Sequence, residues 1–187
     1  IIMRRMFSLN MVPEMLQVAG SGALTRTGSG TLTLSGNSAG YNGGFALDGG
    51  TLTLSGTLGG TLTVGNGASL GGTGNLNNLV VASGGRIAPG NSVGTLSATG
   101  NLTFRAGSIF DLELAATGGT DLLSTTGIAT IEGGTVRVAT LDPQTQYVDG
   151  RRHTFLTAAG GRVGTFTDLT ENSAFLDFAL GYDPTSA

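Results

Sequence analysis

The chain has no cysteine, no tryptophan and no lysine among its 187 residues. Without cysteine there is no disulfide staple, no thiolate metal site and no cysteine nucleophile. Backbone pairing and burial must supply the stability. Charge is scarce too: charged residues are 11% of the chain, all nine basic ones are arginine, and the net charge is −3. That balance lacks the basic face that nucleic acid or an anionic membrane requires. No run approaches the ~18 continuous apolar residues of a membrane helix. His153 is the single histidine, so neither a zinc ligand set nor a Ser–His–Asp triad has a ready source.

What is abundant is glycine, with 34 residues against only 4 prolines and no Gly-X-Y period, which excludes collagen. The hydrophobic fraction of 39% is above that of a disordered chain. The word Gly-Thr-Leu-Thr-Leu-Ser-Gly occurs at 30–36 and again at 50–56, and a degenerate copy runs over 60–65. A short strand word bracketed by glycines and repeated along a chain is the mark of stacked rungs. One such rung cannot bury its own apolar side; only its neighbours give it a core.

Within each word leucine alternates with threonine, so one strand face is apolar and the other hydroxylated. Leu32, Leu34, Leu52, Leu54, Leu62 and Val64 are expected inside, and Thr31, Thr33, Thr51, Thr53, Thr61 and Thr63 outside. The glycine doublets 43–44, 49–50, 59–60, 71–72 and 84–85 supply the positive φ angles of sharp corners. The offset of 20 residues between the two identical words suggests one rung, and residues 20–100 then hold about four, ~20 Å tall.

Composition divides the chain into three. Residues 1–19 are Met-rich and carry Arg4-Arg5, but Asn10, Pro13, Glu14 and Gln17 interrupt the apolar stretch of a signal peptide. They read as a leader or a cap. Residues 20–100 are the Gly/Thr/Leu rungs, with Arg26, Asp48 and Arg86 as their only charges. Residues 101–187 are heavier and hold six of the eight phenylalanines. A solenoid end exposes strand edges and an open core, so this portion is expected to contain the last rungs and a cap. Arg152–Ala158 is expected to be one of its strands.

These words, in order, resemble a family. Leu24 to Gly36, Asn37 and 41–44 (Tyr-Asn-Gly-Gly) are similar to the passenger-associated transport repeat of bacterial autotransporters. Leu70-Gly-Gly-Thr-Gly74, Ile87-Ala-Pro-Gly-Asn-Ser-Val-Gly-Thr-Leu96, Gly100-Asn-Leu-Thr-Phe104, Asp121-Leu-Leu123 and Gly133-Gly-Thr-Val136 follow. Phe155 to Asp183 resembles the close of such passengers. The resemblance covers about residues 20–183. It implies an all-β fold, a right-handed parallel β-helix with a C-terminal capping region. It also implies a segment that folds first outside the cell and templates the rest, here roughly residues 101–183. The absence of disulfides suits a chain that crosses a narrow pore unfolded.

The expected work is non-catalytic, that of a surface stalk and folding nucleus in type V secretion. No catalytic residue, metal or cofactor is expected. The expected packing residues are Leu102, Phe104, Leu112, Leu114, Val136, Phe155, Leu156, Phe166, Phe175 and Leu176. Pro89, Gly90, Asn91 and Ser92 are expected to form a corner that fixes rung geometry. The resemblance implies a location on the bacterial surface or outside it, reached through the periplasm and outer membrane. It implies an outer-membrane β-barrel translocator as partner; the five residues after Tyr182 are too few to build one. A host surface ligand is a further partner to consider; nucleic acid is not.

Two other readings remain open at this level. The Thr-x-Thr words could form an adhesin-type array for glycan or ice, which needs one exposed file of like residues. A β-helix polysaccharide lyase or hydrolase would need paired acids. Asp111 and Glu113 share one strand face, and convergence with His153 would support that chemistry.

Overall fold

The computed structural model describes residues 17–143, 146–174 and 176–187. Nearly all of the leader or cap expected at 1–19, and Phe175, lie outside the described residues. The described residues contain eighteen strands. β1 (Leu24–Arg26), β2 (Thr31–Leu34), β3 (Asn37–Ser38) and β4 (Gly44–Leu47) begin the coil. β5 (Gly50–Leu54), β6 (Thr57–Val64), β7 (Ala68–Gly72) and β8 (Asn75–Val81) continue it. β9 (Arg86–Pro89), β10 (Thr95–Ala98), β11 (Leu102–Phe104) and β12 (Ile109–Leu114) follow, then β13 (Leu122–Thr125), β14 (Ala129–Ile131) and β15 (Thr135–Thr140). β16 (Leu156–Ala158), β17 (Arg162–Gly164) and β18 (Asp168–Glu171) come last.

The ladders between these strands are parallel, and each strand pairs with one a full turn away. The chain is a parallel β-helix with three faces. The first stacks β2, β5, β7, β9, β12, β15 and β18. The second stacks β3, the first half of β6 and of β8, then β10, β13 and β16. The third stacks β1, β4, the second half of β6 and of β8, then β11, β14 and β17. Seven levels on the first face, at ~4.8 Å each, make a column roughly 30 Å tall.

Alternation decides what enters the core. Leu32, Leu52, Leu70, Ile87, Phe110, Val136 and Leu169 form one inward file on the first face. Leu34, Leu52, Leu54, Leu62 and Val64 are buried, while Leu32 on the lowest level is only partly covered. Each full burial of such a side chain contributes about 1.5–3 kcal/mol, which is why a glycine-rich chain with little charge can hold this shape.

Turn length is not constant. Thr31 lies against Thr51, Thr51 against Ser69, Ser69 against Arg86, Arg86 against Ile109, Ile109 against Thr135 and Thr135 against Asp168. Successive turns therefore take 20, 18, 17, 23, 26 and 33 residues, by subtraction of those positions. The repeated word gives only the first of these. The first-face strands also lengthen, from four residues in β2 to six in β12 and β15. Phe104, Phe110, Phe155 and Phe166 are buried on these upper levels, while Phe45 is buried below them.

The strand expected over Arg152–Ala158 is shorter than its sequence suggests. Only Leu156–Ala158 is strand, because only those residues reach β13; the preceding ones belong to the excursion that lengthens the last turn. At the upper end residues 184–187 run along the outer edge of β16. Backbone amides of Phe155, Leu156 and Ala158 donate to carbonyls of Ala187 (3.0 and 3.2 Å) and Thr185 (2.8 Å). Phe178, Leu180 and Tyr182 lie half-buried against the core.

The corner between the second and third faces is held by asparagine. Asn78 Oδ1 accepts from the Asn101 amide (2.8 Å), and Asn101 Oδ1 accepts from the Ile128 amide on the next level (2.9 Å). Each side chain thus satisfies a backbone donor that the ladder leaves open. Asn101→Ala is expected to cost about 1 kcal/mol in urea unfolding, the usual net worth of such a bond. An unchanged midpoint would show that water replaces the side chain without loss.

Candidate functional site

A cleft of about 630 Å³ lies on the outward side of the first face, across β9, β12, β15 and β18. Strand alternation turns Arg86, Asp111, Glu113 and Arg137 outward into it. The Asp111 carboxylate sits between two guanidiniums. Oδ2 accepts from Arg86 Nε (2.9 Å) and Nη2 (2.7 Å), and Oδ1 lies 3.4 Å from Arg137 Nε. The pairs are partly exposed, so the ladder ties three levels together with modest energy. Asp111 is engaged on both oxygens. Glu113 lines the same cleft; His153 does not. His153 is half-buried in the excursion before β16, with Nδ1 buried and unbonded, and burial followed by the Arg151 charge lowers its pKa. Asp111, Glu113 and His153 therefore do not converge, and the arrangement expected of a lyase or hydrolase is not formed.

The floor of the cleft holds an acid that the sequence marks only as part of a family-like word and not as a site residue. Asp121 is buried. Its Oδ1 accepts from the Gly94 amide (3.0 Å) and its Oδ2 from the Glu113 amide (2.9 Å), while its own amide donates to the Glu113 carbonyl (3.1 Å). One carboxylate thereby joins the loop after β9 to β12 and to the start of β13. Burial pushes its pKa up to about 6, against the two backbone bonds, and the nearby Glu113 charge adds to the rise. The only hint in sequence is an acid directly preceding the apolar pair Leu122-Leu123.

A raised carboxylate pKa means that the folded chain binds the proton more tightly than the unfolded chain does. The contribution of Asp121 to stability is thus full below 3.8 and is lost as pH rises through about 6. The difference in unfolding free energy between the wild-type protein and Asp121→Asn, measured from pH 3.5 to 7.5, is expected to shrink as pH rises. A flat difference would contradict this assignment.

The corner residues lie at the rim. Pro89 ends β9, Gly90 takes φ +91° and exchanges backbone bonds with Gly72 (3.0 and 2.8 Å), and Asn91 and Ser92 are exposed. Leu102, Phe104, Leu112, Leu114, Val136, Phe155, Leu156 and Phe166 are buried in one continuous core, and Leu176 is half-buried. Four rings meet there. Phe110 lies 5.1 Å from Phe155, 6.1 Å from Phe104 and 6.2 Å from Phe166, and Phe104 lies 5.2 Å from Phe166. Phe104 and Phe110 come from one turn, while Phe155 and Phe166 come from the last, so the cluster clamps the upper levels together. Phe110, which completes it, is absent from the residues that sequence singles out; its signal is the inward position two before Leu112.

The outward threonines do not form an array. Thr31 and Thr51 stack, but Ser69 and Arg86 continue that file; Thr33 and Thr53 are followed by Gly71. Thr61 and Thr63 lie on another face, between Gly44 and Ala46 below and Asn78 and Val80 above. A flat file of like hydroxyls for ice or glycan is therefore not present among the described residues.

No family model matches the chain. An extracellular serine protease of Serratia marcescens is 32% identical over 172 residues, covering 88% of this chain and 16% of that protein. A second extracellular serine protease of the same organism is 29% identical over 174 residues, with the same coverage of both chains. The adhesin BmaC autotransporter of Brucella suis biovar 1 (strain 1330) is 48% identical over 48 residues, 26% of this chain and 1% of the adhesin. The chain thus spans only a small part of the length of these relatives. Together with the parallel β-helix, these matches make the chain a relative of autotransporter passengers.

Proposed function

We propose that this autotransporter passenger segment is non-catalytic, and that it serves as a surface stalk whose upper levels nucleate folding during secretion. It is exported through the periplasm and outer membrane and works at the bacterial surface or beyond it. A linked outer-membrane β-barrel is its translocator. The protease activity named for the Serratia relatives resides, in this reading, in parts of those proteins that this chain does not span.

The observation that carries the reading is the four-ring cluster. On the lower levels the buried rings, Tyr41 and Phe45, take no part in the cluster and aliphatic files fill most of the core, with each level packing chiefly on its neighbours. The cluster draws together residues from Phe104 to Phe166 through rings 5.1–6.2 Å apart. Edge-on aromatic pairs add about 0.5–1.5 kcal/mol beyond their burial. A locally overstabilised end from which single levels propagate is the physical requirement for directional folding of a repeat stack.

Refolding kinetics test this. Phe166→Ala is expected to slow refolding, whereas Leu52→Ala on a lower level is expected mainly to speed unfolding. The reverse pattern would remove the nucleus from the upper levels and leave a passive stalk.

A further inference from the structure

We propose that the Arg152–His153 bond is a processing site for a trypsin-like serine protease, and that cleavage there leaves the last level and its cap seated on the stalk.

Arg26 donates to carbonyls of its own turn, Arg86 and Arg137 pair with Asp111, and Arg105 pairs with Glu132 at 2.6 Å. Arg162 donates to the Asp183 carbonyl (3.1 Å) and stacks on Tyr182 (4.7 Å), and Arg151 donates to the Ala116 carbonyl (3.0 Å). Among the described residues Arg152 is the arginine whose guanidinium has no partner. The chain has no lysine, so the only lysine-or-arginine sites in the body are these. A protease with an acidic primary pocket requires a free cationic side chain and several residues of extended backbone around it.

The second requirement is met most readily around Arg151 and Arg152, where no ladder holds the backbone and the turn that the Arg151 amide closes onto the Val148 carbonyl (3.3 Å) can be drawn out into the extended form. Residues 148–152 are consecutively exposed, and among the described residues no strand lies between Thr140 and Leu156. Gly150 turns the chain with φ +72°, and residues 151–155 are in no ladder. Arg26, Arg86, Arg137 and Arg162 sit within strands, and the Arg105 amide is bonded to the Val81 carbonyl at 2.9 Å. Their cleavage would need a level of the column to open first. At Arg152 the protease's serine attacks the carbonyl carbon, the peptide C–N bond breaks, and His153 leaves with a protonated amine. Water then releases the Arg152 carboxylate.

The same geometry keeps the product together. Beyond the cut, Phe155, Leu156, Ala158 and Phe166 are buried. β16 and β17 remain on β13 and β14, and β18 on β15. Cleavage therefore converts a covalent junction between stalk and cap into a packed one.

Trypsin is the probe. It is applied to the full chain carrying Arg4→Gln and Arg5→Gln, so that cuts in residues 1–16 do not enter the pattern. The expected result is one early cut after Arg152, with both fragments co-eluting in native size exclusion and separating in denaturant. Arg152→Gln is expected to slow the first cut at least about tenfold, since cleavage must then wait for local opening or for release of Arg151. A first cut after Arg105, Arg137 or Arg162 would overturn the proposal, as would an unchanged rate in Arg152→Gln. Fragments that part without denaturant would overturn its second half.

Discussion

Phe110→Ala is expected to lower the unfolding free energy by about 3–5 kcal/mol, the range for removing a buried aromatic ring from a packed core. Phe110 is fully buried in β12 and contacts Phe104, Phe155 and Phe166. Its loss leaves a cavity bounded by three buried rings, Phe104 in β11, Phe155 directly before β16 and Phe166 between β17 and β18, so the walls have little freedom to close in. The comparison is Thr103→Ala, one residue from Phe104 but on the outward side of β11. That change is expected to stay within about 0.5 kcal/mol, as surface changes usually do. Equilibrium denaturation by guanidinium with circular dichroism measures both. A Phe110→Ala loss no greater than that of Thr103→Ala would mean that the upper core is loosely packed.

Gly60→Ala is expected to be nearly as damaging although it adds only a methyl group. Gly60 lies inside β6 where the register against β8 shifts between Leu58 and Thr61, turning the chain from the second face to the third. It takes φ +67°, and an added Cβ would stand 2.1 Å from the Gly43 carbonyl oxygen on the level below. That oxygen accepts from the Thr61 amide at 3.2 Å. The methyl group would therefore impose a left-handed strain and push apart two bonded levels, at a cost of about 2–4 kcal/mol. Gly40→Ala is the control: it has no positive φ, and nothing lies within 4 Å of its would-be Cβ. If thermal unfolding shifts equally in both variants, the close approach at Gly60 is not what holds the corner.

The lower levels were largely legible in sequence because local and global signals agree there. Each Thr-Leu-Thr-Leu word carries the period of a strand, its glycine brackets mark corners, and the repeat sets the first turn at 20 residues. The words weaken where packing replaces them. β7 reads Ala-Ser-Leu-Gly-Gly, a turn-like composition that becomes strand only because β5 and β9 flank it. The excursion before β16 was hidden for the opposite reason, since the apolar run at Phe155–Ala158 makes the residues before it look like strand. Turn lengths of 23, 26 and 33 residues repeat nothing and leave no period to detect.

The outward chemistry was less visible still. Asp111 and Glu113 were placed on one face by alternation alone, but the partners of Asp111 come from other turns. Arg86 lies 25 residues before Asp111, and sequence spacing cannot pair positions whose offset changes at every level. Asp121 illustrates the same limit. Its role follows from two backbone amides, and backbone donors leave no trace in residue identity.

Pulsed hydrogen exchange during refolding tests the central claim most directly, because it times protection strand by strand. Amides of β11, β12, β13 and β16 are expected to be protected first, followed by β8 and β6, with β2 and β5 last. Protection that starts in β2 and β5, or that rises at one rate along the whole column, would contradict a folding nucleus at the aromatic end.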